Sequence, residues 1–89
     1  MPSTSLTICN KLGLHARAAA KMAKLAGRYG AQINILCDGK TVDAKSVMSL
    51  MLLAAGKGTE IKIQAEGDDA DDALEALQAL VEDRFGEEC

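Results

Sequence analysis

The chain has 89 residues, 48% of them apolar but only Tyr29 and Phe85 aromatic, with a net charge of −3. That size supports one domain, residues 1–89, with a core built from Ile, Leu, Val, Met and Ala, and the composition excludes a disordered chain. The charge is split: residues 1–59 carry eight Lys/Arg against Asp38 and Asp43, whereas residues 60–89 carry Lys62 and Arg84 against eleven acids. Such a division suits oriented docking to a charged protein rather than nucleic-acid binding, which favours a domain that is basic overall.

Ser3 to Cys9 alternates, with Leu6 and Ile8 on one side, and predicts a half-buried strand. A loop with Gly13 follows, then an Ala-, Lys- and Leu-rich helix over Ala16 to Ala26, stopped by Gly27 or Gly30. Gln32 to Cys37 predicts a second strand, and Asp38-Gly39 a tight hairpin turn into Lys40 to Asp43. Val47 to Ala55 predicts a short helix and Thr59 to Glu66 another alternating strand. Asp68 or Asp69 is placed to cap a last helix whose apolar stripe is Ala73, Leu74, Leu77, Leu80 and Val81. The order β-α-β-β-α-β-α, with one polar sheet face, predicts an α+β two-layer open-faced sandwich and leaves the strand order open.

The three cysteines, Cys9, Cys37 and Cys89, are too scattered for a zinc set with the single histidine, so reduced thiols, no metal and no cofactor are expected. No signal peptide is visible, and the longest apolar run is far short of the ~20 residues that span a bilayer. A cytoplasmic protein without membrane insertion is expected.

At about 100° per residue, Arg17, Lys21, Lys24 and Arg28 share an arc of about 60° on the first helix. His15, the only histidine, lies where that helix opens. A helix N-terminus presents unpaired N–H groups and partial positive charge, which favour a phosphate. The same field favours the uncharged imidazole, whose ring then keeps a nucleophilic nitrogen. Arg17 can fork two N–H donors onto phosphoryl oxygens, so His15 as acceptor and Arg17 as anion clamp are chemically consistent. A histidine at a helix start is more commonly a surface or capping residue, and these features alone leave that alternative standing.

The stretch NKLGLHARAAAK, Asn10 to Lys21, with its core Gly-Leu-His-Ala-Arg, resembles the active-site segment of the HPr phosphocarrier family of the bacterial phosphotransferase system. A second stretch, GKTVDAKSVMSLMLLAAGKG over Gly39 to Gly58, resembles that family's regulatory-serine segment. The resemblance implies a sheet of order 1-4-2-3 under three helices, phosphorylation of His15 on Nδ1, and a stabilising role for Arg17. It implies a non-enzymatic carrier, expected to be monomeric, that is charged by enzyme I and discharged to IIA-type proteins in sugar uptake or linked regulation. Many members have Pro where this chain has Ala18; alanine keeps the backbone N–H and is the better helix former.

The second helix is apolar nearly all round, which fits either a fully buried helix or a Met-rich surface that repacks against several partners. The resemblance favours Val47, Met48 and Met51, with Leu14 and Ala16 nearby, as a docking patch rimmed by Arg17, Lys21 and Lys24. Ser46 is placed to cap this helix, and by resemblance is also a candidate for phosphorylation by a dedicated serine kinase. The alternative function is a regulatory binding module acting mainly through docking and Ser46. An RNA-recognition module of the same element order needs strand aromatics, which are absent.

Overall fold

The computed structural model describes residues 2–53 and 55–86. The elements are β1 (Ser3–Thr7), α1 (Ala16–Ala26), β2 (Gln32–Cys37), β3 (Lys40–Asp43), α2 (Val47–Leu52), β4 (Glu60–Glu66), α3 (Ala70–Glu82) and a 3₁₀ turn, Arg84–Gly86. The strands form one antiparallel sheet in the order β1-β4-β2-β3, as the resemblance implied. Alternation sets the layers. Ile33, Ile35, Ile61, Ile63 and Ala65 point into the core with the apolar faces of the helices, while Ser3, Ser5, Gln32, Lys62 and Glu66 lie on the uncovered side.

The Asp38-Gly39 hairpin takes positive φ at both residues, 49° and 79°, the geometry that a two-residue turn of this twist demands. Helix α1 buries Ala18, Ala19, Ala23 and Ala26, small residues that let it lie close to the sheet, together with the larger Met22. The expected ends of β1 and α2 are corrected. β1 ends at Thr7, two residues before Cys9, because the chain leaves the ladder there to form the loop that leads to His15. Helix α2 ends at Leu52 rather than Ala55: Leu53 is its C-cap, and Ala55 is drawn into the core, where its carbonyl accepts from the Leu14 amide at 2.8 Å. Ala54, within the expected helix, lies outside the described residues.

Asp69 occupies the N-cap of α3, but its side chain does not cap that helix. The carboxylate instead accepts from the amides of Gly30 and Ala31, both at 2.8 Å, and ties the start of α3 to the turn between α1 and β2. At the other end of α3 the chain makes a turn that no sequence signal announced. Arg84 and Phe85 both adopt φ of +55°, a region costing roughly 1–2 kcal/mol for a residue with a side chain. Phe85 is fully buried. Burying a phenylalanine side chain contributes roughly 1.5–3 kcal/mol, enough to offset most of that strain.

Candidate functional site

The loop between β1 and α1 is built around Gly13. Its φ is +67°, and a Cβ there would lie 2.4 Å from the Ala55 carbonyl oxygen and 2.6 Å from the Gly56 Cα. Only glycine fits, and the close approach seats the loop on the segment that follows α2. Asn10, fully buried, holds the loop from inside: its Nδ2 donates to the Gly13 carbonyl at 2.8 Å, while its own carbonyl accepts from the Gly13 amide at 3.2 Å.

His15 then takes extended backbone as the N-cap of α1, and its carbonyl accepts the first intrahelical bond from Ala19 at 2.8 Å. Its side chain makes no capping bond to the first turn, which also contains no acid. The amides of Ala16, Arg17 and Ala18 therefore point out of the helix end with no acceptor inside it. The half-buried ring has Nδ1 3.1 Å from the Gly13 carbonyl oxygen. A carbonyl only accepts, so this contact is a hydrogen bond in the tautomer that carries its proton on Nδ1. Arg17 is exposed one residue into the helix.

Helix α2 packs beside α1 and resolves the question of its all-round apolar sequence. Leu50 and Leu53 are core; Val47 is half-buried, while Met48 is 74% and Met51 43% exposed. The structure adds two residues that sequence reasoning missed, Leu52 at 71% and Leu12 at 65% exposed. An expected member drops out: Leu14 is only 4% exposed, its backbone N–H hydrogen-bonded to the Ala55 carbonyl, and supports the loop from the core rather than offering a surface. Ala16, Lys21 and Lys24 lie on the exposed side of α1, where Lys21 Nζ donates to the Phe85 carbonyl at 2.6 Å. Ser46 caps α2, its hydroxyl accepting from the Ser49 amide at 3.3 Å.

The ring, the helix end, the cations and the apolar patch thus share the helical side of the molecule. A family profile described as the PTS HPr component phosphorylation site matches residues 2–83, the whole of this arrangement. The chain belongs to the HPr family. Members of this family are phosphocarriers of the phosphotransferase system rather than enzymes. The phosphocarrier protein HPr of Pseudomonas aeruginosa is 51% identical over 88 residues, 98% of each chain. The phosphocarrier protein NPr of Shewanella violacea is 50% identical over 92% of this chain and 90% of its own. The crystal structure of HPr-C-His from Thermoanaerobacter tengcongensis matches with a TM-score of 0.96 and 44% identity, covering all of both chains. Its likeness to such HPr structures extends the family assignment to the full open-faced sandwich.

Among the described residues no helix is long and apolar enough to cross a membrane. Cys37 is buried beneath the β2–β3 turn, and that burial, reinforced by Asp38, raises its thiol pKa; Cys9 is exposed. Cys89 lies outside the described residues.

Proposed function

We propose that this HPr-family chain, acting as a monomer, accepts a phosphoryl group on His15 from phospho-enzyme I and delivers it to IIA-type proteins. The observation that carries this reading is the ring set at an acid-free helix start that its side chain does not cap, with the Arg17 side chain two residues further on. In loading, a ring nitrogen of His15 attacks phosphorus as the bond from phosphorus to the donor breaks; in delivery the acceptor attacks and the bond from phosphorus to His15 breaks. Little covalent assistance is needed, because positioning and charge stabilisation carry phosphoryl transfer.

For Nδ1 to be the acceptor atom, its contact with the Gly13 carbonyl must open and the neutral ring must take the tautomer that carries its proton on Nε2. The phosphoryl oxygens can then take the amides of Ala16, Arg17 and Ala18 and the Arg17 guanidinium. Ala18 contributes an amide that proline would lack. Partners dock on Met48, Met51, Leu52 and Leu12, with Val47 and Ala16 at the margin, and Arg17 and Lys24 steer acidic surfaces toward the ring. A phosphate placed on Ser46 by a serine kinase would suit the start of α2 while setting negative charge beside Met48, and so weaken such docking.

Incubation with enzyme I and phosphoenolpyruvate should add one acid-labile phosphoryl group, absent from His15→Ala. Labelling of His15→Ala would end this reading. Transfer onward to a sugar-type or a nitrogen-type IIA protein assigns the branch. Failure to discharge to either would favour a regulatory module that uses the same face for binding alone.

A further inference from the structure

The basic stripe of α1 is uniform in sequence, but one of its cations is already engaged. Lys21 Nζ donates to the carbonyl oxygen of Phe85 at 2.6 Å, across 64 residues of sequence. The carbonyl belongs to a turn with three successive positive φ values, 55° at Arg84, 55° at Phe85 and 77° at Gly86. Neither Arg84 nor Phe85 is a residue type that settles there unaided. The turn is closed by the Gly86 amide donating to the Asp83 carbonyl at 3.0 Å, and it drives the Phe85 ring wholly into the core, where the turn packs on both α1 and α3. Gly86 leaves room for the lysine: a Cβ at that position would lie 3.1 Å from Nζ, and only glycine readily takes the φ.

We infer that Lys21 is a positioning residue, whose ammonium holds the Arg84–Gly86 turn shut over Phe85 and thereby braces α1, the helix that carries His15 and Arg17. It is not a cation offered to partners. Lys24, one turn further along the stripe, and Arg28, just past the Gly27 C-cap, keep the steering role with Arg17. The effect on transfer rests on the phosphocarrier reading above, whereas the staple itself is read without any phosphoryl donor.

The test compares Lys21→Met, Lys21→Arg, Lys24→Met and Gly86→Ala. Hydrogen exchange at the Gly86 amide reports the turn directly. In Lys21→Met and Gly86→Ala that exchange should rise by about tenfold or more, the mark of a turn that now opens locally. Lys21→Arg, which can still donate to the carbonyl, should restore most of the protection. Lys24→Met should leave exchange at wild-type values. In transfer from phospho-enzyme I, Lys21→Met should lower kcat by about threefold to tenfold with KM and its salt dependence unchanged, the result of a slightly misplaced ring. Lys24→Met should raise KM and flatten its salt dependence.

Unchanged Gly86 exchange in Lys21→Met removes the staple. Raised exchange with wild-type kcat removes the positioning role, and a Lys21→Met protein that behaves like Lys24→Met in KM and salt dependence returns Lys21 to the docking surface. A wild-type protein that takes up no phosphate would instead sink the carrier reading, while the exchange data would still judge the staple.

Discussion

Gly13 is the residue on which the position of His15 most depends. Adding a single methyl group in Gly13→Ala meets the Ala55 carbonyl at 2.4 Å in a backbone region alanine disfavours. Overpacking and left-handed strain together should cost about 2–4 kcal/mol in urea unfolding, with a slower phosphoryl uptake in whatever remains folded. The same scale explains what sequence could and could not disclose about the site. His15, Arg17 and the helix start were readable because they are adjacent in sequence, and their chemistry follows from that adjacency. Leu14 was misplaced because its burial depends on a backbone bond to Ala55, forty-one positions away, which no local pattern encodes. Leu12 and Leu52 were missed for the converse reason, since an apolar side chain gives no sign of having been left in solvent. Among the thiols, burial of Cys37 raises its pKa, so less of it is thiolate and less of it is reachable. Cys9 should be alkylated before Cys37 at neutral pH, with Cys37 reacting only on unfolding, as mass spectrometry of the labelled peptides would record. The sign for stability follows: above the pKa of the unfolded thiol, the unfolded chain loses that proton more readily than the folded one, and stability declines as pH rises.

At the scale of elements, α2 is the informative case. Its six residues are too few to stand alone, so its geometry depends on the Ser46 cap and on Leu50 and Leu53 packing beneath it. Ser46→Ala should therefore lower stability by about 0.5–2 kcal/mol in denaturant titration. Ser46→Asp should retain the cap and most of the stability, yet raise KM for an acidic donor by placing charge beside Met48. If Ser46→Asp lost stability as Ser46→Ala does and left KM alone, the charge argument for a regulatory serine would fail. Helix α1, β2 and β3 were legible to their boundaries because three independent signals agree there: apolar period, the Asp38-Gly39 turn and the Gly27 stop. The end of α2 was not, because apolar residues continue past Leu52 although the chain has already turned to receive Gly13. Asp69 shows a related limit. Its position was right for a cap, but two amides across the fold compete more effectively for its carboxylate.

For the whole molecule, the uneven charge distribution has a kinetic expression. On the function proposed above, acidic partners would be drawn to the side that carries Arg17 and Lys24, and surface fields of this kind are screened within about 8–10 Å at moderate salt. Transfer from phospho-enzyme I under subsaturating conditions should slow as ionic strength rises, mainly through association. Rates indifferent to salt would assign docking to the apolar patch alone. The fold class itself followed from element order and one-sided alternation, whereas the strand order came from resemblance, since hydrophobic period does not say which strands are neighbours.

A consequence of the half-buried ring lying beside both the patch and the stripe concerns traffic through the carrier. A stable contact typically takes about 800 Å² from each protein, about a sixth of the 4959 Å² this chain exposes. Any footprint of that size centred on His15 covers the approach that the next visitor needs. On the proposed reading of His15, loading and unloading must then alternate, no three-protein assembly would form around the imidazole, and a crowding excess of unloaded receivers would stall the relay by occupying empty carriers.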